Sequence, residues 1–564
     1  MNVVQKSIAD SASMTHADIS TDTDWWRGAV IYQIYPRSFQ DTNGDGIGDL
    51  RGITLRLPYI ASLGVDAIWI SPFFQSPMLD FGYDVSDYEA VDPMFGTLDD
   101  FDELIALAHK LGLKVMIDQV ISHSSDQHDW FKESLTSRDN PKSDWYVWAD
   151  AKPDGNPPNN WLSIFGGSAW EWHSTRRQYY LHNFLRSQPD LNFHNPDVQD
   201  ALLDTVRFWL DRGVDGFRLD TINFYVHDKA LRDNPAIPEQ ERNTSIAPEV
   251  NPYNYQNHLY DKNQPENLEF LKRFRLLLNE YGAAAVGEVG DAQYGIELMS
   301  EYTSGEDKVQ MCYSFDFLSE EPLDTAKVKR IVAGFDQAAP SGWSCWAFSN
   351  HDVQRHASRW TDQVKDREAY LKMLAVLVMS LRGSVCLYQG EELGLSEADI
   401  AYEDLKDPYG IQFWPDFKGR DGCRTPMVWT RNRSHGGFTE GTPWLPVPNE
   451  HLGCAVDVQE GTEGSLLEHY KAFLDFRKKN TALIKGDITF IDAPDNVMMF
   501  QRSHSGESLL VTINMSDKPI EVTMPSKLSM LDGGTFGAQL NDSKISLESY
   551  GALVAKIDTG SSTD

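Results

Sequence analysis

A chain of 564 residues is too long for one compact core, so about two to four domains are expected, and 41% hydrophobic content suffices to fold them. The formal charge of -34 repels nucleic-acid phosphates and anionic lipid, which excludes both as partners and favours a neutral substrate. Five cysteines, odd in number and without metal-type spacing, read as free thiols of a reducing compartment. No run approaches the roughly 18 apolar residues of a membrane span, and residues 1–23 carry no apolar stretch of signal-peptide length, so a cytoplasmic location is expected.

Residues 1–23, rich in Ser, Thr and Asp and without periodicity, read as a loose tail. From Trp25-Trp26 onward, compact apolar runs alternate with amphipathic ones. The runs are Val30 to Tyr35, Ala67 to Ile70, Val115 to Ile121, Gly216 to Asp220, Ala283 to Val289, Val309 to Phe317, Trp343 to Asn350 and Val385 to Gln389. Eight such strands, with helices between them, predict a closed (β/α)8 TIM barrel. Thr97 caps a predicted helix whose Phe101, Leu104, Ile105 and Ala108 share a face and which ends at Gly112. Asn195-Pro196 opens another, with Val198, Leu202, Val206, Trp209 and Leu210 on one face and Gly213 as its stop.

The predicted barrel occupies residues 24–121 and 194–483. Residues 122–193, crowded with Trp, Asn, Pro and Gly and too long for an ordinary loop, read as a subdomain inserted after strand three. A second excursion, residues 390–464, follows strand eight and is expected to cover the barrel mouth. From residue 484 to 564 the pattern changes to short alternating strands, which predicts a C-terminal antiparallel β-sandwich.

The chemistry concentrates at strand ends. In Val214-Asp215-Gly216-Phe217-Arg218-Leu219-Asp220, the period of two puts Arg218 and Asp220 on one side, a cation beside a carboxylate that must stay ionised. Glu288 and Asp352 each close another apolar run. In a barrel these three acids converge at the C-terminal face. Retaining glycosidases need a carboxylate nucleophile and a protonated acid about 5 to 5.5 Å apart. Asp220, charged beside Arg218, suits the first role; Glu288, between apolar Val286 and Val289, suits the second by desolvation. Asp352 is left to bind hydroxyls and stabilise an oxocarbenium-like transition state, with His351 beside it.

Further motifs lie in the same order: residues 30–39 (VIYQIYPRSF), Gly82-Tyr83-Asp84-Val85-Ser86-Asp87-Tyr88, Gln188-Pro189-Asp190-Leu191-Asn192, Tyr388-Gln389-Gly390-Glu391-Glu392 and residues 419–426 (GRDGCRTP). Together these segments resemble the signature regions of the α-amylase family, glycoside hydrolase family 13, and particularly its bacterial α-glucosidases and oligo-1,6-glucosidases. The resemblance spans nearly the whole chain. It implies a pocket for one non-reducing-end glucose, with Asp80 and Arg420 on its far hydroxyls, Tyr83 under the ring, and His123 and His351 as hydrogen-bonding partners. Phe165 is implied as an aromatic wall near the cleaved bond. The family usually has Asn before that first histidine, where it helps hold calcium in the amylases; Ser122 takes its place here, so that calcium is not carried over.

A different metal loop stands earlier in the chain. Asp41-Thr42-Asn43-Gly44-Asp45-Gly46-Ile47-Gly48-Asp49 offers oxygen donors at alternating positions, like half of an EF-hand loop. The resemblance implies a structural calcium or magnesium on Asp41, Asn43, Asp45, Asp49 and the carbonyl of Ile47. No organic cofactor is implied. In related α-glucosidases, Val after the nucleophile tends to accompany cleavage of α-1,6 bonds and Thr that of α-1,4 bonds. Thr221 stands there, so the expected enzyme releases glucose from maltose and short oligosaccharides, with transglucosylation as an accompanying activity. A transferase or isomerase on the same scaffold, acting on sucrose or isomaltose, is the alternative. A non-catalytic relative is disfavoured because all three acids are present. Monomer and homodimer are both compatible with the sequence.

Overall fold

The computed structural model describes residues 23–558; the tail expected over residues 1–23 falls, apart from Thr23, outside them. Eight parallel strands form the central sheet: β1 (Val30–Ile34), β2 (Ala67–Ile70), β3 (Lys114–Gln119), β4 (Gly216–Leu219), β5 (Ala284–Val289), β6 (Met311–Ser314), β7 (Cys345–Ala347) and β8 (Ser384–Tyr388). Their spatial order is β6-β5-β4-β3-β2-β1-β8-β7, and a parallel bridge between Cys312 and Ser344 joins the two ends into a barrel. All eight strands coincide with apolar runs of the sequence.

The helices that cover the barrel start where local chemistry starts them. α1 (Leu50–Leu63) is capped by Asp49, whose carboxylate accepts from Gly52 N. In α2 (Leu98–Lys110), Thr97 and Asp100 form the reciprocal capping box, and Phe101, Leu104, Ile105 and Ala108 are all buried. α3 (Pro196–Asp211) begins with Asn195 bonding Asp197 N and buries Val198, Leu202, Val206, Trp209 and Leu210 against the sheet. Between the strands run α4 (Asn267–Tyr281), α5 (Gly295–Thr303), α6 (Thr325–Ala338) and α7 (Arg367–Ser380), and α8 (Leu466–Lys478) follows the excursion after β8.

Period-two alternation divides the core. Ile31, Ala67, Trp69, Met116, Ala284, Val286, Met311, Cys345 and Cys386 form an inner cluster within the barrel, while alternate strand residues such as Val30, Tyr32, Ile68 and Ile117 join the larger layer under the helices. The segment after β3 carries a small three-stranded sheet of Trp148–Ala149, Gln178–Leu181 and Trp170–His173, and returns to the barrel where His123 bridges Asp190. The C-terminal part contains β9 (Asp487–Phe490), β10 (Val497–His504), β11 (Glu507–Asn514), β12 (Ile520–Thr523), β13 (Leu528–Asn541) and β14 (Lys544–Ile557), all antiparallel. No helix among the described residues is long and apolar enough to cross a membrane.

Candidate active site

The sequence-predicted groups meet around one guanidinium. Arg218, fully buried on β4, donates from Nη1 to Asp220 Oδ1 at 2.7 Å and to Asp118 Oδ1 at 2.8 Å, and its Nη2 meets Glu288 Oε2. Burial works against its charge, but Asp118, Tyr313, Tyr83 and Asp220 more than compensate and hold it protonated. Parallel register explains the convergence: Asp118 on β3 pairs with Arg218 on β4, and Glu288 on β5 pairs with Tyr313 on β6. Gly287 permits close packing here, since a Cβ would come within 2.9 Å of Ile222 Cδ1 and 3.1 Å of Cys312 Sγ.

The surroundings of Glu288 differ from the expectation of an apolar niche. Tyr313 OH donates to Glu288 Oε2 at 2.5 Å, and Arg218 touches the same oxygen. Flanking valines describe the strand along its length, whereas the carboxylate faces what neighbouring strands present. Asp118, inside an apolar run, carries no signal of its own in the sequence, yet its carboxyl is the third on Arg218. Its other oxygen accepts from Trp69 Nε1 at 3.1 Å and Tyr83 OH at 3.2 Å, and burial pushes its carboxyl up to about 7 against the pull of Arg218.

A second cluster gathers around Asp352. Its Oδ1 accepts from Arg424 Nη2 at 3.0 Å and Arg420 Nη1 at 3.2 Å, and its Oδ2 lies 3.2 Å from His351 Nε2. Burial would raise this carboxyl; His351, Arg420 and Arg424 outweigh it and hold Asp352 below the usual carboxylate range. Burial also keeps the His351 proton affinity well down, so its ring is neutral and the two guanidiniums carry the effect. Gln33 Nε2 sits 2.7 Å from His351 Nδ1 and donates to it, leaving the His351 proton on Nε2. The Tyr83 ring stacks on His351 at 5.3 Å with planes 3° apart.

Arg420 connects this cluster to Asp80. Its Nη2 donates to Asp80 Oδ1 at 2.9 Å and to Asp407 Oδ1 at 2.8 Å. Burial pushes the Asp80 carboxyl up to about 6, with Arg420 and Arg424 opposing. Gln188 Nε2 donates to the other Asp80 oxygen at 3.1 Å. The Phe165 ring lies 5.3 Å from the Arg420 guanidinium and 4.9 Å from Tyr409, in an aromatic cluster with Phe184 and Phe224. Arg420 and Asp407, in the segment after β8, thus stand beside Asp80 and Asp352, and Asp407 fixes the arginine that grips Asp80. His123 is buried, its Nε2 2.9 Å from the Tyr83 carbonyl, and Thr221 Oγ1 lies 3.3 Å from Asp220 Oδ2.

The loop expected to hold a metal is wound about its own side chains. Asn43 Oδ1 accepts from Asp45 N, Asp45 Oδ1 from Ile47 N, and Asp41 from Asn43, Gly44 and Gly46 N, all at 2.8 to 2.9 Å. Asp49 is engaged by Thr42 and by the start of α1. Three carboxylates, an amide and the Ile47 carbonyl make a donor set that suits a hard cation. Yet no three His, Cys, Asp or Glu side chains gather as metal ligands among the described residues. In this structure backbone N–H groups reach the oxygens of Asp41, Asp45 and Asp49.

Residues 33–486 match the model for the alpha amylase catalytic domain. A relative from Rhizobium meliloti (strain 1021), named "Probable alpha-glucosidase", is 64% identical over 96% of this chain and 99% of its own. The crystal structure of an alpha-glucosyl transfer enzyme, XgtA, is 54% identical, with a TM-score of 0.91 over 95% of this chain and 99% of that one. Trehalulose synthase MutB from Pseudomonas mesoacidophila is 34% identical, with a TM-score of 0.84 over 95% and 99% of the two chains. With a parallel eight-stranded barrel, Asp220 and Glu288 at the ends of its strands, Asp352 in the loop beyond β7, and this match, the chain belongs to the alpha-amylase family of glycoside hydrolases.

Proposed function

We propose that the protein is a retaining, exo-acting α-glucosidase that releases glucose from maltose and short α-1,4-linked oligosaccharides. The observation that carries this reading is the single Arg218 guanidinium holding Asp220 and Glu288 on adjacent strand ends. Asp220 attacks the anomeric carbon while Glu288 protonates the departing glycosidic oxygen. Glu288 then takes a proton from the water that releases glucose. Asp352, charged among Arg420, Arg424 and His351, stabilises the positive charge developing on the sugar ring. Asp80 and Arg420 hold the far hydroxyls, with Tyr83 against the ring, and His123, His351 and Phe165 complete the pocket.

The Rhizobium relative, named a probable alpha-glucosidase, supports action on α-glucosides, and Thr221 after the nucleophile, the residue that accompanies α-1,4 cleavage in related α-glucosidases, supports the α-1,4 preference. A second reading is favoured by the similarity to XgtA and MutB: a sugar hydroxyl in place of water at the glucosyl-enzyme gives transfer or isomerisation. Time-resolved product analysis on maltose, isomaltose and sucrose separates the two. Free glucose from maltose, formed at least about tenfold faster than from isomaltose, is expected, and Glu288→Gln should lose most of it, roughly 10²-fold or more. Equal rates on both disaccharides would remove the linkage assignment, and dominant sucrose isomers would install the second reading. The loop of Asp41, Asn43, Asp45, Ile47 and Asp49 is proposed, on donor chemistry alone, to take a structural calcium or magnesium ion outside the reaction.

A further inference from the structure

Ser122 has no part in the chemistry above, yet its hydroxyl stands two contacts from Asp220. Ser122 Oγ is 2.9 Å from His123 Nδ1 and 3.2 Å from Thr221 Oγ1, and Thr221 Oγ1 is 3.3 Å from Asp220 Oδ2. All four residues are buried. A count of protons shows that these contacts cannot all be hydrogen bonds at once.

Burial keeps His123 neutral, so its ring carries one N–H. The Tyr83 carbonyl, 2.9 Å from Nε2, can only accept, which puts that proton on Nε2 and leaves a lone pair on Nδ1. Gln188 Nε2, 3.2 Å from the same nitrogen, has Asp80 Oδ2 as its acceptor. The Ser122 proton therefore goes to His123 Nδ1. Thr221 is left with one proton and two acceptors at nearly equal distance, Ser122 Oγ and Asp220 Oδ2. Its backbone cannot swing away to relieve the choice. Thr221 sits at φ 39° and ψ 51°, a left-handed conformation that a β-branched residue seldom adopts, and its carbonyl is bonded by Phe224 N at 2.8 Å.

While Asp220 carries its charge, the carboxylate is the stronger acceptor. In the covalent step the Asp220 oxygen–anomeric carbon bond forms, the glycosidic bond breaks, and the electron pair leaves with the oxygen that takes the Glu288 proton. Asp220 is then a neutral ester and a poorer acceptor. We propose that Ser122 is a positioning residue that receives the Thr221 hydroxyl at this moment, so that no buried O–H is left without a partner and formation of the glucosyl-enzyme is favoured. No proton changes owner in the pair; one hydrogen bond turns from Asp220 to Ser122. The inference rests on Asp220 being the nucleophile.

The test uses a nitrophenyl α-glucoside, with kcat/KM reporting the first covalent step and kcat, for this good leaving group, its hydrolysis. Ser122→Ala should lower kcat/KM roughly fivefold, the value of about one hydrogen bond, and leave kcat within about twofold. Added to Thr221→Val, which has no hydroxyl to place, Ser122→Ala should cost nothing further. Ser122→Thr, which keeps the acceptor, should recover the first step. An unchanged kcat/KM, or a loss as large in the Thr221→Val background as in the parent, overturns the proposal. Should Ser122→Ala not fold, Ser122→Cys, with a weaker acceptor, must show the same first-step deficit at smaller scale, and its absence overturns the proposal equally. Asp220→Asn keeps the two readings apart. An active Asp220→Asn enzyme defeats the nucleophile assignment beneath, whereas an inactive one with unaffected Ser122 variants defeats this inference alone.

Discussion

Asp118 shows how a single residue sets the behaviour of the site. It shares Arg218 with Asp220 and Glu288, and burial pushes its carboxyl up to about 7. In the unfolded chain an aspartate titrates near about 3.9. Between those values the folded chain holds a proton that the unfolded chain has released, so this group lowers stability as pH rises from about 4 to about 7 and adds no slope outside that window. Asp118→Asn has no such titration. Melting temperatures taken across that range should show the variant gaining on the parent as pH rises, and parallel curves would mean that Asp118 titrates normally. Activity should fall as well, because Arg218 loses one of its anchors.

The same residue marks what a sequence can reveal. Asp220, Glu288 and Asp352 are legible because each ends an apolar run, and Arg218 because it stands two residues from Asp220 on the same side. Asp118 lies inside a run and becomes significant only through its register opposite Arg218, a pairing between strands about a hundred residues apart. Tyr313 is hidden likewise by the pairing of β6 with β5. Asp407 and Arg424 reach the site along a loop whose path no periodicity encodes.

At the scale of elements, strands and helices were legible because short-range chemistry specifies them: Thr97 with Asp100, Asn195 with Pro196, and apolar stripes of matching period. The Asp41–Asp49 loop shows the limit of that logic. Alternating oxygen donors signal a tight turn around something, but the folded loop answers first with its own N–H groups. Asp45 is the more exposed of its acids, bonding Ile47 N and the Asn43 amide, while Asp41 is fastened to Thr439 across the excursion. If a cation binds, Asp45→Ala should lower the melting temperature of calcium- or magnesium-loaded protein by several degrees, leave kcat on maltose within about twofold, and abolish the shift that chelator causes in the parent. A parent insensitive to chelator, with no divalent ion by elemental analysis, would leave the loop as a self-bonded turn.

At the scale of the whole molecule, the C-terminal sheet packs its apolar face on α7 and α8, where Tyr550 meets Tyr370 and Phe536 meets Phe473, and buried arginines fasten it to the end of α7. Arg502 on β10 is fully buried and donates to the carbonyls of Ser380 at 2.5 Å, Leu381 at 2.8 Å and Gly486 at 2.7 Å. Arg477 on α8 donates to the Met379 carbonyl at 2.9 Å. The C-terminus of α7 has unpaired carbonyls and the negative end of the helix dipole, so two guanidiniums suit it. Four residues on, Ser384 begins β8, whose end supplies the Gln389 side chain that bonds Tyr35 N at 2.8 Å near the pocket floor. The C-terminal sheet thus steadies the barrel near the start of β8, at the opposite end of the strands from the acids. Arg502→Leu removes those bonds and leaves buried carbonyls without partners, a cost of roughly 3 kcal/mol. The variant should inactivate at a temperature several degrees lower, yet keep KM and kcat on maltose near parental values at 25 °C. A lowered kcat at 25 °C with unchanged thermal inactivation would mean that the sheet acts on the chemistry through β8 and not on the fold.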